Sequence, residues 1–362
     1  MLMDECWQIL GDWGGGFHAG PKAQRDVASI LESEGFKLFV TRRAKCRGLL
    51  GRAWNWASWI LKCRMLRRRL PEKCTLFTQF PSESWSKNPA LRVLNAATKR
   101  RKLIRLVALF HDFASLRWTD DSLENGQLAR DEVDLLTLAD VAIVHNEEMK
   151  AALVKRGIPA EKMITLEVFD YLTPCRQLLN RKLENAVVIA GNLNPDKAGY
   201  LDGLASISGV NWNLYGVQFN PERLKSGNVR FLGCYSPEEL PGKLEGSFGL
   251  VWDGPSVEGC CGALGNYLRI NNPHKLSLYL ASGLPVFIWA GAAEANFVKV
   301  HDVGLCIGSL TEIPGVLANL SAERYEQLVR NVMAQSKLLR EGHFLKTAIG
   351  RALCEGERHA GL

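Results

Sequence analysis

The stretch Asn271–Trp289, NNPHKLSLYLASGLPVFIW, carries a lysine where helix electrostatics disfavour one. Asn272 reads as an N-cap and Pro273 as the first helical residue, where its missing N–H costs nothing. Gly283 and Pro285 end the helix. Lys275 therefore falls in the first turn, at the positive end of the peptide dipoles, where a cation is unfavourable by up to about 1 kcal/mol. Something negative is expected there. A helix tip binds phosphate through its free N–H groups, and Lys275 would add a full charge. Tyr279, one turn on, shares that face and offers a hydroxyl. The plainer alternative is a solvated lysine and a core tyrosine.

Other chemistry-bearing residues follow apolar runs. In SFGLVWDGPSVEG, Asp253 sits at the end of such a run and Glu258 a few residues beyond. A carboxylate there can hold a sugar or ribose diol, although Asp-Gly-Pro also makes a turn unaided. In AVVIAGNLNPDKAGYL, Gly191 permits close backbone approach and Lys197 can reach a diphosphate. In NWNLYG, Tyr215 either stacks on a base or packs in a core. DWGGGFHAGPK puts Gly14, Gly15 and Gly16 in a turn able to bend around a substrate, with His18 beside them as a general base or an incidental loop residue. In FHDFASLRW, Asp112 follows a strand with His111 and Arg117 close in sequence; it either deprotonates a hydroxyl or caps the next turn.

These residues need elements to position them. Continuous apolar strands alternate with helices, which indicates parallel sheets covered on both faces. Strands are expected at CWQILGD, GFKLFV, CTLFTQF, LIRLVALFHD and ADVAIVH, then at AVVIAGNL, NWNLYG, VRFLG, SFGLVWDG, PVFIW and VGLCIG. Helices are expected near 22–34, 50–70, 88–101, 121–138 and 146–156, then near 196–207, 236–244, 273–282, 292–299, 309–319 and 321–341. The alternation lapses into a polar stretch at about 169–185. Two doubly wound domains result: 1–168, then, after a linker at 169–185, 186–342. Residues 343–362 form a C-terminal helix or tail expected to return to the first domain. Ligands in such sheets lie at the carboxyl ends of the strands, so the candidates converge on an interdomain cleft.

Composition narrows the class. With 47% hydrophobic and 23% charged residues, the chain reads as globular rather than disordered or membrane-embedded. No long uncharged apolar run and no secretory leader is visible, which predicts a cytoplasmic protein with reduced cysteines. The cysteine spacing fits no zinc site, no isolated D-x-D follows a strand, and DEVD at 131–134 reads as helix surface, so no metal is expected. Between Thr41 and Thr75 there are eleven Lys and Arg against one acid, whereas the rest of the chain is slightly acidic. Within that segment Trp54, Trp56 and Trp59 mingle with Leu49, Leu50, Ile60, Leu61, Met65 and Leu66. Arginine mixed with tryptophan and leucine on a helix suits an anionic membrane surface, through residues 42–73. The alternative is an ordinary helix with core tryptophans. No nucleic-acid module is recognisable.

The segments FGLVWDG, GNYLRINNPHKLSLYLASGLPVFIW, AGNL and FHDFASLR resemble bacterial glycosyltransferases of the β-1,6-galactofuranosyltransferase group, which also contains the glucosyltransferase that extends GlcNAc on serine-rich adhesins. The likeness runs from about 7 to 350 and is strongest at Asn266–Trp289. It implies an α/β GT-B fold: two Rossmann-like domains facing a cleft, donor in the second and acceptor mainly in the first. It implies a UDP-sugar donor, no required metal or other cofactor, and usually a homo-oligomer. The chain is then read as moving a hexose such as galactofuranose or glucose to a hydroxyl of a surface glycan or glycoprotein, and the basic segment as bringing it to a lipid-linked acceptor. By motif, Asn272, Lys275 and Tyr279 fall where the donor diphosphate is held, Lys197 and Tyr215 similarly, and Gly14–Gly16 with Asp112 toward the acceptor. The three glycines replace a more polar turn, which leaves the acceptor and any role for His18 open. A UDP-sugar 2-epimerase, or a non-catalytic nucleotide-sugar or membrane scaffold, remain as alternatives.

Overall fold

The computed structural model describes residues 5–11, 19–41, 48–81, 103–117, 123–175, 178–220 and 226–359. The expected helix near 88–101 lies outside them, as do the side chains of Leu49, Leu50 and Trp59.

Two six-stranded parallel sheets organise the chain. The first holds β1 (Glu5–Gly11), β2 (Lys37–Thr41), β3 (Lys73–Phe80), β4 (Leu103–Phe110), β5 (Val141–Val144) and β6 (Met163–Thr165), in the order β2-β1-β3-β4-β5-β6. The second holds β7 (Ala186–Asn192), β8 (Asn211–Val217), β9 (Val229–Gly233), β10 (Phe248–Val251), β11 (Val286–Trp289) and β12 (Gly304–Ile307), in the order β12-β11-β10-β7-β8-β9. Strand direction of travel reverses between β1 and β3 in one sheet and between β7 and β10 in the other. Such switch points open a crevice at the carboxyl ends, because the two flanking loops depart to opposite faces. Lys197 follows β7 and Asp253 follows β10, so topology alone delivers both to one crevice.

Helices cover both sheets. In chain order they are α1 (Ala19–Ser33), α2 (Gly48–Arg69), α3 (Ala114–Arg117), α4 (Leu123–Leu138), α5 (Glu147–Val154), α6 (Pro195–Ala198), α7 (Gly262–Tyr267), α8 (His274–Ala281), α9 (Ala295–Val300), α10 (Ile313–Asn319), α11 (Ala322–Glu341) and α12 (His343–His359). Their ends follow local chemistry. Ser321 accepts a bond from the Arg324 N–H at the start of α11, and Gly342, at φ +75°, stops it in the left-handed conformation that glycine tolerates. Asp170 accepts the N–H groups of Phe344 and Leu345 at 3.2 and 2.7 Å, capping α12 from the segment between the sheets. α12 packs on α1 and β6, so the chain crosses back to the first lobe.

Some expected elements differ. The helix near 196–207 is α6 followed by a 3₁₀ stretch, Gly199–Ser206. Gly199 and Gly203 lie so close to Pro255 and Val257 that a Cβ would be 3.0 and 2.7 Å from them, so contact with the next loop shapes this segment. The helix near 236–244 reduces to one turn at Leu240–Gly242, where Pro241 cannot extend it. β6 and α7 were not expected; α7 occupies a stretch that reads as a glycine-rich loop. The DEVD motif is only half surface. Glu132 is buried and accepts the Ser115 hydroxyl, and Asp131 is buried as well, while Val133 and Asp134 face outward. Among the described residues no helix is long and apolar enough to cross a membrane.

Candidate active site

Lys275 finds its negative partner within the chain. Its Nζ donates to Asp253 Oδ1 at 2.8 Å and to the Trp252 carbonyl at 2.7 Å, with the two side chains 13% and 8% exposed. Burial lowers the lysine pKa, Asp253 opposes that shift, and the neighbouring charge of Lys197 adds to it. The cation disfavoured by the α8 dipoles is thus held by a carboxylate from the β10 loop. That loop is laced to the β7 loop: the Gly254 N–H donates to Lys197 O at 2.9 Å and the Tyr200 N–H to Gly254 O at 3.1 Å. Gly254 lies at φ +113° with the Cys261 carbonyl 2.5 Å from where a Cβ would be, so only glycine fits there.

Lys197 is the group that several others sense. It is half-buried and forms no ion pair among the described residues. Its charge acts on Lys275 and His274 in its own lobe and on Asp112 in the other. Asp112, at the carboxyl end of β4, is 43% exposed, and Arg117 Nη1 stands 3.3 Å from its Oδ2. Desolvation raises the Asp112 carboxyl above its ordinary range, while Arg117, Lys197 and the Tyr267 hydroxyl pull the other way. The carboxyl is reached by water yet walled in by both lobes. Lys197, after β7, and Asp112, after β4, therefore lie within electrostatic reach of each other from different lobes.

Asn272 does something other than cap a helix, which corrects the sequence expectation. Pro273 takes the N-cap position of α8 and no side chain caps it. Asn272 instead joins the lobes. Its Nδ2 donates to His145 O at 3.0 Å and to Glu167 O at 2.7 Å, its Oδ1 accepts from Asn146 Nδ2 at 2.6 Å, and its N–H donates to His145 Nδ1 at 2.9 Å. Glu167 adopts φ +72° to present that carbonyl, a strained conformation for a residue with a Cβ. Because His145 Nδ1 accepts, Nε2 carries the proton and bonds Phe110 O at 3.1 Å. Burial holds His145 neutral, with its pKa lowered to about 4.

Two tyrosines also correct their expected roles. Tyr279 is buried, and its hydroxyl accepts the Ala190 N–H at 2.8 Å. Its ring fills the space beneath β10, 2.2 Å from where a Gly249 side chain would begin. One turn below the helix tip, it points at the sheet rather than the crevice. Tyr215 is buried too, its hydroxyl on the Glu245 N–H at 3.0 Å, so no face is left for a base. Asp253, expected to hold a diol, has Oδ1 committed to Lys275. Glu258 is exposed and accepts the Ser309 hydroxyl at 2.9 Å. Leu276 and Leu280, on the other side of α8, pack in the core. Gly14, Gly15, Gly16 and His18 lie outside the described residues.

The structure adds residues that sequence reasoning passed over. His274 opens α8, stacks on Phe169 with centroids 4.4 Å apart, and is lowered to about 3 by burial, with His145, Lys22 and Lys197 contributing. His111, already noted beside Asp112, also stacks on Phe169, its ring 5.4 Å from that ring and 6.3 Å from His274, and bonds Gln79 at 2.7 Å. Tyr267 of α7 accepts the Phe113 N–H at 2.9 Å, tying the second lobe to the Asp112 loop. A histidine directly before Lys275 was the available signal; Tyr267, inside a glycine-rich run, gave none. Gly191 and Gly216 are paired across β7 and β8 at φ +136° and +140°, and a Gly191 Cβ would meet open space. The crevice floor is therefore bare backbone at that point.

Known proteins fit this arrangement. The glucosyltransferase 3-like N-terminal domain matches residues 14–168, and the glucosyltransferase 3-like C-terminal domain matches 187–352. The chain is 35% identical over 254 residues to the β-1,6-galactofuranosyltransferase WbbI of Escherichia coli, covering 68% of this chain and 70% of that protein. It is 28% identical over 262 residues to glucosyltransferase 3 of Streptococcus gordonii, covering 69% and 71%. In fold it is similar to Anabaena HepE, solved with UDP and glucose, at TM-score 0.59, 16% identity and 99% and 100% coverage. It is also similar to the UDP-forming trehalose-phosphate synthase of Burkholderia vietnamiensis, at TM-score 0.58, 11% identity and 96% and 98% coverage. The two lobes are the Rossmann-like halves of a GT-B fold, and the chain belongs to the glucosyltransferase 3-like family of bacterial glycosyltransferases.

Proposed function

We propose that the chain transfers a hexose from a UDP-sugar to a hydroxyl of a surface-glycan or glycoprotein acceptor, with no resident metal. The observation that carries this reading is Lys197, a cation without an ion partner among the described residues, whose charge reaches the partly exposed Asp112 of the other lobe. Cleaving the donor's glycosidic bond leaves negative charge on the departing diphosphate. A fixed cation and the N–H groups at the α8 tip stabilise that charge as it develops. Lys275, neutralised by Asp253, braces the tip rather than supplying the free charge. On the other side, a carboxylate whose pKa is raised by burial is a better base than an ordinary aspartate, and Asp112 accepts the proton of the attacking hydroxyl. Glu258, exposed in the loop after β10, is our candidate for the ribose diol; by resemblance to the family, Gly14–Gly16 are our candidates for acceptor contact, with His18 as the alternative base.

The test is a thermal-shift series with UDP and UDP-sugars, followed by product analysis with and without a glycan acceptor. UDP at a hundredfold excess over Kd stabilises the native state by about 2.7 kcal/mol. Lys197→Ala loses that shift while keeping its own melting temperature. A UDP-sugar isomerised without acceptor supports an epimerase instead. UDP binding with no turnover of any donor supports a scaffold.

A further inference from the structure

We propose that the outward face of α2 is a docking surface for an anionic lipid bilayer. The helix has 22 residues, a length of about 33 Å. One side serves the fold: Gly51, Cys63 and Leu66 are buried, and Cys63 and Leu66 join Ile9, Phe39 and Leu70 in the core of the first lobe. The opposite side carries Trp54, Ala57, Leu61, Arg64, Met65 and Arg68 at helical spacing, all exposed. Trp54 is 64% exposed, Leu61 58% and Met65 40%, with Trp56 on the flank at 62%. The helix is thus apolar on two opposed faces, and the fold uses one.

The chemistry of the second face selects its occupant. Arg64 and Arg68 interleave with the apolar side chains, Arg69 follows, and the helix contains no acidic residue. A second copy of the same face would set arginine against arginine with no acid on either helix to pair them. A nucleic acid would take the arginines but offers no apolar interior for Leu61 and Met65. An anionic bilayer satisfies both: phosphate headgroups for the guanidinium groups and acyl chains for the tryptophan, leucine and methionine.

Position adds a consequence that rests on the transferase reading, though docking itself does not. α2 connects β2 to the parallel β3, so its first half, with Trp54 and Trp56, lies toward the carboxyl end of the sheet, the end at which Asp112 follows β4. A bilayer held there brings a lipid-linked acceptor to the crevice mouth.

The test is co-sedimentation of the full-length protein with phosphatidylcholine vesicles, with and without phosphatidylglycerol, at low and high salt. The wild type pellets with the anionic vesicles only, and salt releases it. Trp54→Ser/Leu61→Ser/Met65→Ser lowers the partition coefficient at least tenfold, and Arg64→Gln/Arg68→Gln lowers it about thirtyfold. Both variants keep the wild-type melting temperature and UDP shift, because the replaced side chains are exposed. No wild-type pelleting with anionic vesicles at low salt, or pelleting of the triple variant equal to wild type, overturns the proposal. So does a wild type that ignores vesicles but whose oligomer dissociates in the triple variant, since the face is then an interface between copies. Turnover with a soluble acceptor is read separately, so failure of docking and failure of the transferase reading give different results.

Discussion

Replacing Lys275 with alanine separates two roles that a lysine at a helix tip can have. Its amino group bonds Asp253 at 2.8 Å and the Trp252 carbonyl at 2.7 Å, and both partners are buried. Without the cation, the Asp253 carboxylate is left unpaired in a site with little water, a loss of roughly 3–5 kcal/mol. At roughly 2–4 °C per kcal/mol for a domain of this size, melting falls by roughly 6–20 °C. The pair itself is replaceable: Lys275→Met/Asp253→Leu leaves no orphaned charge and recovers most of the lost stability. Calorimetry on the wild type, the two single variants and the double variant gives the coupling energy directly. If Lys275→Ala melts within about 2 °C of wild type yet loses all response to UDP, the reasoning is wrong, and Lys275 is kept for the ligand rather than for Asp253.

Other outcomes follow from the same geometry. His145 and His274, with pKa values near 4 and 3, are folded in their neutral forms; their contribution is complete above the ordinary histidine pKa of about 6.5 and is lost as pH falls through the lowered values. Nitrogen chemical shifts of labelled histidine should therefore show both unprotonated at about pH 5.5, whereas titration near 6.5 would contradict the burial argument. Gly216→Ala costs about 2–6 kcal/mol in urea unfolding, because its Cβ would stand 1.8 Å from Gly191 O at φ +140°. Gly35→Ala, also at positive φ but with open space, costs only about 1–2 kcal/mol, and equal losses would refute the contact. Tyr279→Phe orphans the buried Ala190 N–H and costs about 1–3 kcal/mol while leaving the UDP shift intact; a lost shift at unchanged stability would return Tyr279 to the binding site.

The strands were legible because buried parallel strands are continuous apolar runs, and eleven of the twelve stand out in that way. β6, only Met163–Thr165, is too short to separate from its surroundings. Segments shaped by neighbours rather than by their own periodicity were misread: Gly199–Ser206 is 3₁₀ because the β10 loop presses on its glycines. At the site, the sequence raised the right question about Lys275, since a cation against a helix dipole needs a partner. It did not say that the partner was Asp253, because 22 residues separate them and only the switch point brings them together. Lys197 gained importance for the same reason, being on the other loop of that switch point. Tyr279 and Tyr215 show the limit of face-counting: a shared helix face or a strand end does not tell whether a ring looks outward or down into the sheet.

The chain passes between the lobes at two places lying side by side: Tyr171 N–H donates to Leu339 O at 3.2 Å, and Asp170 caps α12 just beyond. Asn272 fastens the lobes at another place. Two separated fixed places define a line, as the pins of a door do. Swinging about that line stretches little at either pin but must first release the catch beside Asp112, where the Tyr267 hydroxyl holds the Phe113 N–H at 2.9 Å; twisting across the line would tear the four bonds of Asn272. The gap should thus widen and narrow along one path, returning Lys197 and Asp112 to the same alignment each time it shuts.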